Sequence, residues 1–165
     1  MVERRIIVDG INVSYSGIFD LSELYKLIDH FLRERAYTKH ELSAQEDVYK
    51  DGKRLSLTKQ PYKKISDYAR YDLKIKIAAD HVKDKVIEVA GHKRHLHEGD
   101  VTVTFFGFLT TDYEGRWDKK PMFYFLRALF DQYVYKIHVD KYESGLVEEV
   151  NLLYNLVKRF LTVQQ

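Results

Sequence analysis

The sequence contains no cysteine. Disulfide bridges, thiolate metal sites and a cysteine nucleophile are all excluded by that one absence. Proline is nearly as scarce, with two residues in 165, so the composition is that of a folded chain rather than a disordered one. The eight glycines are scattered and form neither a Gly-x-Gly-x-x-Gly nor a Walker pattern, which removes the usual phosphate-cradling loops. No serine sits in a Gly-x-Ser-x-Gly elbow. No apolar run approaches the roughly 20 residues that a membrane span requires. Ile6-Ile7-Val8, followed at once by Asp9 and Gly10, is too short for the core of a secretory signal. Charge of one sign is missing too. With 27 basic against 25 acidic side chains the net charge is +2, too balanced to neutralise many phosphates through overall charge. These absences predict a cytoplasmic chain with no transmembrane segment and no cofactor. An enzyme ranks below a binding module, because nothing assembles a nucleophile, a base and an orienter.

What the chain does have is hydrophobic content (45%), charge (32%) and many rings, with 13 tyrosines and 9 phenylalanines. A length of 165 residues predicts one domain, residues 1–165, able to bury a core without staples. Arg5 to Tyr15 reads as a first strand, with Ile7, Ile11, Val13 and Tyr15 on one face and Ile6 and Val8 on the other. Asp20 then caps a helix reaching about Arg35. Glu23 completes a capping box, Phe19 can staple onto Leu24, and Leu24, Leu27, Ile28, Phe31 and Leu32 form the apolar stripe.

From Thr38 onward the period is that of strands. Glu41–Tyr49 and Arg54–Lys59 flank an Asp51-Gly52 hairpin signal, in which both central positions want positive φ. Pro61 ends that run. Tyr71 to Ala79 alternates, Asp80–Asp84 reads as a turn, Lys85–His95 as the next strand and His97–Asp100 as a second turn. Val101 to Leu109 completes the meander. The last third returns to helical spacing, in one stripe from Met122 to Tyr133 and another from Leu146 to Leu161, separated by Ser144-Gly145. Residues 133–139 also alternate and fit a short strand as well as a helix.

The fold class is therefore α+β: a curved antiparallel sheet (strand, helix, multi-strand meander) packed around C-terminal amphipathic helices. This order of elements resembles the helix-grip arrangement of the START and polyketide-cyclase-like superfamily. The resemblance implies a cavity between the sheet and the C-terminal helix. Inward phase on central strands and on the facing stripe places Leu73, Ile75, Val103, Phe105, Val150, Tyr154 and Val157 as its walls. Tyr154 carries a hydroxyl that could orient a ligand's polar end.

Three functions are compatible with these features. The first is a non-catalytic binding module for a hydrophobic or amphipathic, lipid-like small molecule. The second is an interaction protein with a solid core, forming a homodimer through the broad aromatic helix at 122–133. The third is an RNA-binding module working through the basic and aromatic 50–71 surface, with Lys53, Arg54, Lys63 and Lys64 on the phosphates. Against the third, Glu46, Asp47, Asp51, Asp67 and Asp72 dilute the field, and an ordinary Lys-rich edge has the same composition. His92, His95 and His97 crowd into six residues. Lys93 and Arg94 beside them disfavour a cation, so no metal site is expected.

Overall fold

The computed structural model describes residues 2–38, 41–113, 129 and 136–163. In chain order these form β1 (Glu3–Phe19), α1 (Leu21–Glu34), β2 (Glu41–Tyr49), β3 (Gly52–Lys59), β4 (Tyr62–Lys64), β5 (Ala69–Val89), β6 (His92–Thr111) and α2 (Lys136–Val163). The fold is α+β, a curved six-stranded antiparallel sheet with two described helices, one of them C-terminal. The strand order is β1-β6-β5-β3-β2, and the short β4 shares the β5 edge with β3. No described helix is long and apolar enough to cross a membrane.

Most elements follow from local chemistry. The Asp20 carboxylate accepts from the Glu23 N–H at 3.0 Å and opens α1, while Phe19 and Leu24 on either side of the cap are fully buried. Leu24, Ile28, Phe31 and Leu32 then bury one stripe of the helix. β1 is longer than its alternation suggests. Val8 joins the core instead of facing away from Ile7, because the register with β6 shifts between Ile6 and Val8 and again between Asp9 and Ile11. Gly10 supplies the positive φ (+76°) inside this double bulge.

The hairpin at 49–52 closes differently from expectation. Tyr49 pairs with Gly52, the loop is Lys50-Asp51, and the positive φ falls on Gly52 alone. Pro61, which has no N–H to give, marks the passage from β3 to β4, and its carbonyl still accepts from the Leu73 N–H at 2.9 Å.

Neither of the two turns expected at Asp80–Asp84 and His97–Asp100 exists. β5 and β6 run straight through both segments as one long hairpin, which turns at Ala90-Gly91 with positive φ at both positions. The polar, glycine-bearing stretches instead accommodate a bulge, with a register shift between Asp80 and Lys83 and His81 at φ +55°. Gly99 is required there, since a Cβ on it would lie 2.7 Å from the Asp80 carbonyl oxygen.

Ser144-Gly145 does not interrupt the C-terminal helix. The Ser144 hydroxyl donates back to the Asp140 carbonyl, and a Cβ on Gly145 would meet the Tyr71 hydroxyl at 2.6 Å. This glycine serves close packing, not chain reversal. Lys136–Val139 is helical, which settles that part of the ambiguous segment; residues 133–135 lie outside the described residues.

Both helices lie on one face of the sheet. α2 packs on β1 and β6 through Leu146, Val150, Leu153, Val157 and Leu161. Phe160, which its stripe position places against the sheet, is only half-buried, and Val147 is 37% exposed. β5 and β6 alternate cleanly: Leu73, Ile75, Ile77, Val103 and Phe105 face the helices, while Lys74, Lys76, Thr104 and Phe106 point the other way.

Candidate functional site

α1 meets the sheet unevenly. Its stripe is buried, but the adjoining flank formed by Leu21, Ser22 and Tyr25 stands off from the β2–β3 hairpin and leaves a cleft of about 470 Å³. Leu55 and Leu57 of β3 and Ile77 of β5 form its floor, with Ala44 of β2 at the side. Leu55, Leu57 and Lys59 share the inward phase of β3, opposite Ala79, Ile77 and Ile75. Lys59 is nevertheless buried while both leucines remain half-exposed, because the helix does not close over them. The volume lies within the range of small-molecule sites, about 300–1,000 Å³.

Polar groups stand at the two ends. Behind Tyr25, the Lys59 ammonium lies 3.5 Å from the ring centroid and 3.4 Å from Asp29 Oδ1, and Arg33 takes the other carboxylate oxygen at 2.9 Å. At the opposite end His97 of β6 stacks on Phe19, with its Nε2 3.8 Å from Asp84 Oδ1. Its Nδ1 is buried with no hydrogen-bonding partner among the described residues. Ser22, Gln45, Glu46 and Ser56 complete the rim. Neither serine is hydrogen-bonded to His97.

The seven residues expected as cavity walls are brought together between the sheet and α2. Leu73, Ile75, Val103, Phe105, Val150 and Val157 are at most 2% exposed. Tyr154 is half-buried, edge-on to Phe105 with centroids 6.4 Å apart. They do not line the cleft beside α1, whose nearest shared strand residue is Ile77.

The four expected phosphate contacts do not form one free basic surface. Lys53 bonds Asp84 at 2.8 Å and Glu46 at 3.4 Å, Arg54 bonds Asp80 at 2.5 Å, and Lys63 bonds Glu149 of α2 at 2.7 Å. Lys64 lies 5.4 Å from the Tyr113 ring centroid. The Lys53 ion pair also holds the exposed Asp84 carboxyl below the usual carboxylate range. The proposed dimer helix at 122–133 lies outside the described residues, apart from Leu129, which is 43% exposed. Among the described residues no group of His, Asp and Glu is arranged to hold a metal. His92 and His95 pair with Val89 and Val86 near the end of the long hairpin.

Sequence reasoning missed Leu21, Tyr25 and the β3 leucines as site residues. The available signal was the Leu21–Tyr25 pair at i, i+4, just off the main stripe, which widens the apolar face of α1 beyond what the sheet covers. Comparison of the chain with known protein families and with curated proteins finds no match.

Proposed function

We propose that this protein is a non-catalytic binding module for an apolar or amphipathic small molecule, held between α1 and the β2–β3 hairpin. The carrying observation is the cleft of about 470 Å³ floored by inward-facing leucines that the fold leaves uncovered. Apolar walls with hydrogen-bonding groups at the ends suit a ligand with an apolar body and a polar terminus. The element order supports a helix-grip reading, with β1 against the last strand and a long C-terminal helix on the same face as α1. Among the described residues, one helix follows β1 where a pair is usual, and five strands follow α1 where six are usual.

The test is fluorescence of an anilinonaphthalene sulfonate dye, with native mass spectrometry of freshly purified protein for a co-purifying ligand. Leu57→Trp fills the cleft and should abolish dye binding while the unfolding midpoint is retained. Val103→Phe overpacks the sheet–α2 interface, should destabilise by about 1–3 kcal/mol and should leave dye binding intact. Dye binding lost in Val103→Phe but kept in Leu57→Trp would return the ligand to the sheet–α2 interface. A parent protein that binds no dye and carries no ligand would refute the reading.

A second reading, self-association, rests on the outer side of α2. Val147 and Leu152, 37% and 40% exposed, border an open groove with Ile7 of β1. Sedimentation of the parent protein against Leu152→Glu tests it, and a monomeric parent excludes it.

A further inference from the structure

The sheet face turned away from α1 and α2 carries a different pattern. Phe106 and Phe108, two positions apart on β6, emerge on this face and are each half-exposed. The Arg4 guanidinium lies 3.9 Å from the Phe108 ring centroid, and the Lys76 ammonium lies 5.4 Å from that of Phe106. Lys74 sits directly across from Phe106 on β5. Next to these, Arg70 stands 5.1 Å from the Tyr62 ring centroid and 5.6 Å from that of Tyr113.

We propose that this face is a docking platform for single-stranded RNA, with Phe106 and Phe108 stacking bases and Arg4, Lys74 and Lys76 taking phosphates. Two rings on alternate residues of an inner strand lie at the spacing of the pleat, about 7 Å, a base would stack in place of the cation now lying over each, and stacking accepts any base. The charge is complementary and available. Among the described residues Arg4, Lys74 and Lys76 form no ion pair, in contrast to Lys53, Arg54 and Lys63. Asp72 lies directly across from Phe108 on β5. Asp72 is already held by Arg70 at 3.0 Å and by the Thr110 hydroxyl, and Asp9 opposes Phe106 across β1.

RNA rather than DNA is favoured by Asn12 and Thr104. They face each other across β1 and β6 one step from Phe106. Neither side chain is hydrogen-bonded among the described residues, so both can serve a 2′-hydroxyl. The platform is local, consistent with a net charge of only +2. It lies on the opposite face from the cleft beside α1, so either site can be lost without the other.

Fluorescence anisotropy of a labelled 12-nucleotide RNA of mixed sequence, titrated with the whole chain at several salt concentrations, tests the proposal. Phe106→Ala with Phe108→Ala should weaken binding about tenfold or more. Lys74→Gln with Lys76→Gln, at solvent-facing positions that leave the core untouched, should lower the slope of log K against log salt by about 1.4. Lys53→Gln with Arg54→Gln should change nothing, because those cations are already paired. Absence of binding by the parent protein at low salt would overturn the proposal. So would equal affinity for DNA of the same sequence, equal affinity for duplex RNA, or an affinity indifferent to the lysine pair.

Discussion

The ion pair between Asp29 and Lys59 offers the sharpest test of how α1 is fastened to the sheet. Lys59 is 4% exposed and Asp29 6%, so both charges have left water. At 3.4 Å and an effective dielectric constant of about 20, their attraction is about 5 kcal/mol. Desolvation offsets much of this, so the pair adds little net stability, yet removing the Asp29 carboxylate takes a partner from both Lys59 and Arg33. Asp29→Leu should therefore cost about 3–5 kcal/mol. For a chain of this size that lowers the melting temperature by on the order of 10 °C. Lys59→Met should cost less, about 1–2 kcal/mol, because it keeps the apolar stem and Asp29 retains Arg33 at 2.9 Å. The double variant should lie closer to the parent than Asp29→Leu alone, since an apolar pair replaces a buried charge pair. Urea unfolding followed by circular dichroism gives all four corners of the cycle. A cost below about 1 kcal/mol for Asp29→Leu, or strict additivity in the double variant, would refute the claim that the two charges depend on each other.

Gly145→Ala should destabilise the protein, against the usual gain of about 1 kcal/mol for replacing a helix glycine, because the new Cβ would sit 2.6 Å from the Tyr71 hydroxyl; adding Tyr71→Phe should restore the usual sign, as read from urea midpoints. Burial, with Glu149 nearby, pushes the Tyr71 phenol up to about 12, so the native state keeps a proton that the unfolded chain releases near pH 10. Stability from this group is full below about pH 10 and is lost as pH rises through about 12; Tyr71→Phe should make the alkaline fall in the unfolding midpoint shallower. In the last turns of α2, Leu161→Ala should cost about 2–5 kcal/mol and Phe160→Ala less, since Leu161 is 1% exposed and Phe160 only half-buried. Equal losses at the two positions would contradict the packing described here.

Much of the architecture was legible because it rests on short-range patterns. The Asp20 cap and the stripe of α1 follow from spacing alone, and so do the alternation of β5 and the inward face of α2. What failed to show were features that depend on a distant neighbour. Gly145 reads as a helix break, yet its meaning comes from Tyr71, far away in sequence. Gly99 and the polar residues around Asp80 and His97 read as turns, because a bulge between long strands uses the same residues as a chain reversal. The cleft was hidden for a related reason. Leu55 and Leu57 carry ordinary core periodicity, and only the cleft between α1 and the β2–β3 hairpin leaves them half-exposed.

The pairing of β1 with β6 has a consequence for the order in which the molecule can be made. Glu3 finds its partner at Thr111 and Phe19 at His97, so β1 closes against a strand that leaves the ribosome well after it. At about 5–20 residues per second, roughly 5 to 20 s separate the emergence of the two from the ribosome. The local β5–β6 hairpin can zip as soon as Ala90-Gly91 turns, whereas β1 must wait, and such distant pairings are the slow step of folding. During that interval Val13 and Phe19 have no sheet to bury them, and a waiting strand invites pairing with a neighbouring nascent chain. The charges at Glu3, Arg4, Arg5 and Asp9, together with Gly10, break up its regular edge and act against that outcome before the fold exists to protect it.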